Sequence, residues 1–283
     1  MEPPLLYVGL TLVFGLVGGM LPIFTQSKEN VSRLKMLTGI ASGIIIASAM
    51  LVVIPEGFEL AGGEHEEEVG HEEEDGHEEE TLGHLAMGGA ILAGFALMLI
   101  LEGSGIGHAI HEEHHEHEHD HGHGHVHHGP SGWMLVFGLS LHAATDGLAI
   151  GAAAASGGVT VTAAVALAVL IHKAPAAFSL GVFSMHERED KNKSIRDVVI
   201  FSLATPVMII VAFYALADLE HYMIGMAMLF SAGTFLYVAT VDTLPDIHNP
   251  ETGKKALMYV LTGIVILVIL LVLANSLHLG HAH

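Results

Sequence analysis

The sequence contains eight apolar segments that are each long enough to cross a lipid bilayer. A hydrocarbon core about 30 Å thick requires roughly 20 consecutive, predominantly apolar residues in a helix. The segments that meet this requirement are Leu5–Phe24, Leu37–Leu60, Leu82–Leu101, Trp133–Ala155, Val161–Phe183, Val198–Leu216, Met223–Val241 and Leu257–Leu277. A soluble helical protein has no need of so many segments of spanning length. The pattern therefore predicts an all-α integral membrane protein, an eight-transmembrane-helix bundle that forms a single domain over residues 1–283.

The positions of the basic residues support the same count of spans. Nine of the ten lysine and arginine residues lie between spans one and two, five and six, or seven and eight: Lys28, Arg33, Lys35, Arg188, Lys191, Lys193, Arg196, Lys254 and Lys255. By the positive-inside rule these odd-numbered loops are cytoplasmic, and both termini are extracytoplasmic. The N-terminal segment lacks the basic stretch of a secretory signal, so it is interpreted as a retained span.

The composition excludes several classes of function. Ten lysine and arginine residues against 31 aspartate and glutamate residues make nucleic-acid binding untenable. The absence of cysteine excludes disulfides, thiolate zinc sites and Cu(I)–thiolate chemistry. The formal charge of -21 comes mostly from two polar tracts between spans, so it describes patches on the protein and not the fold.

Two tracts between spans have too few apolar residues to offset the loss of conformational entropy on folding. We therefore expect both to be disordered without a ligand. The first, residues 61–81, is rich in acidic residues and histidine and is extracytoplasmic in this topology. It is either a solvated loop or a segment that concentrates cations at the extracytoplasmic entrance of the transport path. The second, residues 104–131, is cytoplasmic and has eleven histidines between His108 and His128, which favours metal capture or sensing.

Three potential metal ligands lie near the middle of spans four and five. Each costs about 2.5 to 3.5 kcal/mol at the bilayer centre on insertion scales, so its presence there indicates a function. His142 and Asp146 are four residues apart and share one face of a helix, and His172 lies at the same depth in the next span. His142 alone is better explained by helix packing. Two imidazoles and a carboxylate at one depth predict a site for Zn²⁺, Fe²⁺ or Mn²⁺.

Around these residues the sequence resembles the ZIP family of metal-ion transporters. Span four contains HAATDGLAIGAA, and span five contains HKAPAAF in place of the family's usual His-Glu-x-Pro-His-Glu. Together with SAGTFLYVATVDTLPD in span seven, HKAPAAF is similar to a eukaryotic subgroup of Golgi and secretory membranes. The resemblance implies a ZIP-type bundle with His142, Asp146 and His172 as ligands. It also implies import of metal into the cytoplasm by alternating access.

The sequence departs from the family pattern where many relatives bind a second ion. Lys173, Ala176 and Ala177 replace carboxylates or histidines there, and Thr205 stands in span six where some relatives have a carboxylate. Our hypothesis is that the Lys173 ammonium substitutes for the second cation, pairing with Asp146 or lying near it. One ion is then carried.

Two further carboxylates, Asp242 and Glu56, lie beside prolines at the ends of spans. They are candidate gate or entry ligands, and ordinary interfacial carboxylates are the alternative.

The sequence is compatible with other functions. A cation-diffusion exporter also pairs a histidine-rich loop with a His-x-x-x-Asp motif, but it has six spans and a second such motif. A membrane-embedded zinc hydrolase generally needs a His-Glu-x-x-His pair or three histidines with a water-activating acid. Here no span contains His-Glu-x-x-His, and the mid-membrane histidines number two. A metal-responsive receptor with little flux is a third alternative. We expect no enzyme activity and no resident cofactor, and we expect Zn²⁺, Mn²⁺ or Fe²⁺ to be the transported ion. The sequence is compatible with a homodimer. It is also compatible with location in the plasma membrane or in a Golgi or secretory membrane.

Overall fold

A computed structural model describes residues 3–25, 31–62, 76–104, 132–188, 190–250 and 252–279. Within these ranges all the regular structure is helical: α1 Leu5–Thr25, α2 Val31–Ser48, α3 Ile54–Gly62, α4 Gly76–Gly103, α5 Gly132–Ala155, α6 Val159–Arg188, α7 Lys191–Leu216, α8 His221–His248 and α9 Gly253–Leu279. A π-helical turn, Ala49–Val53, joins α2 to α3, so these two helices form one span. The described residues thus contain eight helical stretches apolar and long enough to cross a membrane, which confirms the predicted fold class.

Several helices extend beyond the apolar segments from which they were predicted. The sixth span was expected from Val198, whereas α7 begins at Lys191, where the Asp190 side chain accepts a hydrogen bond of 2.9 Å from the Asn192 amide. Hydropathy locates the lipid-crossing part of a helix, and a capped helix continues past it into polar surroundings. Likewise α4 begins at Gly76, inside the tract 61–81 that was expected to be a loop. Residues 63–75 and 105–131 lie outside the described residues.

The eight spans pack as two groups of four helices. The first group consists of α1, α5, α6 and α7, with its largest contacts between α5 and α7 and between α1 and α6. The second group consists of α2 with α3, α4, α8 and α9, with its largest contacts between α2 and α9 and between α4 and α8. The groups meet mainly where α2 packs on α6 and α5 packs on α8.

Glycine residues allow the closest helix approaches, and these approaches lie inside the groups. A Cβ atom on Gly147 of α5 would collide with the Thr205 carbonyl of α7, and one on Gly94 of α4 would collide with the Phe230 carbonyl of α8. Among the glycines that the structure describes, each approach to a backbone carbonyl of another helix joins two helices of the same group. Close backbone contact of this kind stabilises helix pairs in lipid, so each group is a tightly packed unit.

A short turn sets α5 and α6 side by side. Gly157 in this turn has a φ of 81°, a left-handed conformation that glycine adopts without steric cost. His142 and His172 each lie 15 residues from Gly157, one before it and one after it. At 1.5 Å per residue both histidines are therefore about 22 Å from the turn. The turn places the two imidazoles at the same depth.

Candidate metal site

The structure brings the three mid-membrane residues together. His142 and Asp146 lie on α5 and His172 lies on α6, and their exposed fractions are 6%, 2% and 5%. Each offers a ligand atom, and these atoms lie within 4.8 Å of one another. Among the residues that the structure describes, this is the one group of three or more histidine and carboxylate side chains close enough to share an ion.

The Asp146 carboxylate lies between the two imidazoles. Its Oδ2 atom is 3.2 Å from His172 Nε2, and its Oδ1 atom is 3.8 Å from His142 Nε2. Oδ1 is buried and accepts no hydrogen bond from any described residue. A buried carboxylate requires a compensating positive charge or a full set of hydrogen bonds. Asp146 therefore has coordination capacity directed into the space between the histidines.

A backbone carbonyl fixes the orientation of the His172 ring. Its Nδ1 atom lies 3.0 Å from the Ala168 carbonyl oxygen, and because that oxygen can only accept, Nδ1 carries a hydrogen. In the neutral imidazole Nε2 then presents a lone pair to Oδ2 of Asp146, which is also an acceptor. Two acceptors 3.2 Å apart attract a cation, either a proton that makes imidazolium or a metal ion. A second-sphere bond to the other ring nitrogen is the usual arrangement of a metal-ligating histidine.

Lys173 is buried beside the three ligands, with 1% of its surface exposed. Its Nζ atom donates a hydrogen bond of 2.7 Å to Thr205 Oγ1 and lies 4.5 Å from the centre of the Phe201 ring. Thr205 Oγ1 in turn donates to the Ala143 carbonyl at 2.7 Å. Within the described residues Lys173 makes no ion pair with Asp146 at 4 Å or less, although the two charges attract each other. The ammonium thus lies near Asp146 and is held by the neighbouring helix α7.

A cavity of about 140 Å³ reaches the site from one end of the bundle. His142 and His172 form part of its wall, and the rest comes from α2, α4, α5, α6 and α8, so it lies between the two helix groups. Pro175, one turn beyond His172, also lines it. Toward the end that carries the odd-numbered loops, the wall includes Glu102 and Tyr237. The two histidines are therefore reached through a space that lies between the groups.

A contiguous apolar cluster fills the bundle on the other side of the site. It contains buried residues of both groups, among them Val53 of the π-helical turn, Ile150 of α5, Val169 of α6 and Met228 of α8. Pro55, which follows the turn, lacks the N–H for a regular helical bond and would clash with the carbonyl four residues earlier. The wider π-helical turn accommodates the missing N–H and the proline ring, and it keeps Ala49, Val52 and Val53 buried.

The other residues named from the sequence lie away from the three ligands. Glu56 is a partly exposed residue of α3, at the end of the bundle opposite to the cavity. Asp242 is within α8, but its side chain lies outside the described residues. The sequence did not point to Glu102 or Tyr237, because a carboxylate and a tyrosine near span ends look like ordinary interfacial residues. Their pairing depends on the packing of α4 against α8.

Comparison with known proteins agrees with this architecture. The family model described as ZIP Zinc transporter matches residues 2–129 and 104–271. Zinc transporter ZIP9 of Micropogonias undulatus is 32% identical over 94% of this chain and 94% of its own length. Zinc transporter ZIP9-A of Xenopus laevis is 33% identical with the same coverage. A shorter match to zinc transporter ZIP9 of Macaca fascicularis is 42% identical over 52% of this chain and 67% of that protein.

These relatives are named as transporters, which confirms the prediction of a transporter and not of an enzyme. They also disfavour the cation-diffusion exporter and the membrane hydrolase as interpretations. The match of the family model over most of the sequence, together with eight spans and a buried His/Asp cluster, shows that the chain belongs to the ZIP family of metal transporters.

Proposed function

We propose that this chain carries Zn²⁺ across a membrane and binds it at His142, Asp146 and His172. The observation that carries the proposal is the pair of acceptors, His172 Nε2 and Asp146 Oδ2, which face each other 3.2 Å apart in a buried site. A divalent cation between them satisfies both. The relatives are named zinc transporters, and two imidazoles with one carboxylate form a donor set suited to Zn²⁺. Mn²⁺ and Fe²⁺ accept the same donors, so selectivity must be measured.

These three residues form an incomplete set of ligands, which allows the ion to be released. Three protein ligands leave the fourth position of a tetrahedral Zn²⁺ to water, as in zinc sites that exchange ligands. Bonds of about 2.0 to 2.1 Å at tetrahedral angles place donor atoms roughly 3.3 Å apart. The Asp146 oxygens lie 3.2 Å from His172 Nε2 and 3.8 Å from His142 Nε2, so a small side-chain rotation brings these donor atoms to the required spacing. An incomplete and slightly open set of ligands favours transport over permanent retention.

Movement of the two helix groups against each other provides alternating access. All three ligands belong to the first group, on α5 and α6, while the cavity lined by His142 and His172 lies between the groups. Since the closest glycine contacts join helices of one group, each group can move as a unit. In the orientation that the basic residues predict, this cavity opens toward the cytoplasm. The family resemblance implies that the direction is import, from outside the cell or from the lumen of a Golgi or secretory compartment.

Lys173 provides a fixed positive charge next to the ligands. Its ammonium is held by Thr205 and Phe201 within the first group, so it moves with the site. Repulsion between this charge and a second divalent ion limits the site to one ion, and it weakens the binding of the first. The position of the ammonium, which is bonded to Thr205 and not to Asp146, supports the hypothesis that Lys173 stands in for a second cation.

Uptake by the purified protein in proteoliposomes tests the function. We expect saturable accumulation of Zn²⁺, and competition by unlabelled Mn²⁺, Fe²⁺ and Cd²⁺ ranks the selectivity. The matched control is the Asp146→Asn protein reconstituted to the same density. Absence of uptake by a wild-type protein that still binds Zn²⁺ would favour the metal-responsive receptor and refute transport.

A further inference from the structure

Among the residues that the structure describes, one carboxylate lines the cavity. Glu102 lies near the C-terminal end of α4, and its Oε2 atom accepts a hydrogen bond of 2.7 Å from the hydroxyl of Tyr237 on α8. Tyr237 is 5% exposed, and its ring meets that of Phe95 edge-on with centroids 5.1 Å apart. Glu102 and Tyr237 both line the cavity that contains His142 and His172. The carboxylate is therefore held in a defined place on the path to the site.

This position suits a cation. A carboxylate has two oxygens with about four acceptor positions, so it can hold a hydrogen bond and a metal ion together. The C-terminal end of a helix adds a partial negative charge of roughly half an elementary charge. Glu102 is the one carboxylate among the described residues that line the cavity, whose wall is otherwise mostly apolar. An ion that leaves the histidines meets this oxygen ligand before it reaches the end of the bundle.

We propose that Glu102, oriented by Tyr237, is a transient ligand for the divalent ion as it moves between the central site and the end of the cavity. The proposal rests on the transport function proposed above. Glu102 and Tyr237 belong to the second helix group, whereas His142, Asp146 and His172 belong to the first. The ion thus passes from ligands on one group to a ligand on the other. A single carboxylate with water holds a divalent ion weakly, which suits a release position.

Substitutions at Glu102 separate metal binding from a structural role. Glutamine keeps the size of the side chain and an oxygen that accepts from Tyr237, but it lacks the charge; histidine supplies a metal-binding nitrogen. In proteoliposomes we expect Glu102→Gln to lower the maximal rate of Zn²⁺ uptake about tenfold, the equivalent of 1.4 kcal/mol. We expect Glu102→His to recover at least half of the wild-type rate. Tyr237→Phe, which removes this hydrogen bond to the carboxylate, should lower the rate about threefold.

Glu187→Gln is the matched control, since Glu187 is an exposed carboxylate near the end of α6 at the same end of the bundle. A wild-type rate for Glu102→Gln would overturn the proposal. So would equal losses in the Gln and His variants, because they would indicate a role in packing only. If wild-type protein transports and Asp146→Asn does not, a wild-type rate for Glu102→Gln rejects this inference alone.

A binding measurement decides the question independently of transport. The chain has no cysteine, so a Glu102→Cys variant carries a single thiol. We expect Cd²⁺ to protect this thiol from a small maleimide in the otherwise unchanged protein. A Glu187→Cys variant should be labelled at the same rate with and without Cd²⁺. Equal labelling of the Glu102→Cys variant with and without the metal would contradict a cation position there.

Discussion

His172 contacts Asp146 through one ring nitrogen and a backbone carbonyl through the other. Nε2 lies 3.2 Å from Asp146 Oδ2, and Nδ1 lies 3.0 Å from the Ala168 oxygen, one turn earlier in the same helix. The second contact determines which nitrogen can bind an ion, and the first directs that nitrogen at the carboxylate of the adjacent helix. The turn of α6 that carries Ala168 therefore contributes to the site, although it supplies no metal ligand, because its carbonyl orients the His172 ring.

Replacement of Asp146 by asparagine should abolish Zn²⁺ uptake. The substitution keeps the shape of the side chain and removes the one negative charge among the three ligands. Loss of an outer-sphere partner typically lowers metal affinity or activity about 10- to 100-fold, and loss of a charged ligand should exceed this. We expect the same from His142→Ala. Uptake is measured in cells with the amount of protein at the membrane determined in parallel.

The control for these substitutions is His221→Ala, which removes an exposed histidine at the start of α8. It should leave uptake within about twofold of wild type, as surface substitutions usually have small effects. Unchanged uptake by Asp146→Asn or His142→Ala at normal membrane abundance would refute the site.

Removal of the buried charge in Lys173→Met should tighten metal binding. Methionine fills similar space, and loss of the ammonium removes its repulsion of the divalent ion. At an effective dielectric constant of about 20, charges several Å apart interact by a few kcal/mol, so KM should fall by at least about tenfold. The maximal rate should fall as well, because a tighter site releases its ion more slowly. Both constants follow from initial rates of uptake over a range of Zn²⁺ concentrations.

Lys191→Met is the corresponding control, because Lys191 is exposed at the start of α7 and its Nζ atom lies 4.3 Å from the centre of the Phe24 ring. Its KM should match that of wild type. An unchanged or higher KM in Lys173→Met would show that the ammonium does not weaken metal binding.

Two glycines of α4 should respond in opposite ways to alanine. Gly94 faces the Phe230 carbonyl of α8, so an added methyl group must separate the helices at a cost of about 1 to 3 kcal/mol. Gly88 has nothing within 4 Å of the position of a Cβ atom, and alanine is favoured over glycine in a helix by roughly 0.5 to 1 kcal/mol. Thermal unfolding in detergent should give a lower Tm for Gly94→Ala and an equal or higher Tm for Gly88→Ala. Equal Tm values for both variants would argue against close packing of α4 on α8.

The predicted orientation can be tested with single cysteines. Glu220 and Lys254 are exposed residues at the N-terminal ends of α8 and α9, on opposite sides of the predicted membrane, and the chain has no cysteine of its own. An impermeant maleimide added to sealed cells or to lumen-side-out vesicles should label a Glu220→Cys variant directly. It should label a Lys254→Cys variant only after permeabilisation. The reverse result would invert the topology and make the cavity face outward.

The number and the approximate limits of the spans could be predicted from the sequence, because lipid imposes a minimum apolar length on every crossing helix. The loops with Lys and Arg supported the count independently. The ends of helices were predicted less well, as α7 and α4 show, because capping and helix propensity extend a helix beyond its apolar part. The π-helical turn Ala49–Val53 gave no periodic signal that would separate it from the surrounding helix.

The candidate ligands were also evident from the sequence, since His142, Asp146 and His172 are costly in lipid and lie at one depth. The sequence alone determined that imidazole and carboxylate groups occur there. Only the tertiary structure decided which way they point, that Lys173 bonds to Thr205 and not to Asp146, and that Glu102 meets Tyr237 beside the same cavity. The physical reason is that depth follows from the rise along one helix, whereas contact between side chains depends on how each helix is rotated against its neighbours.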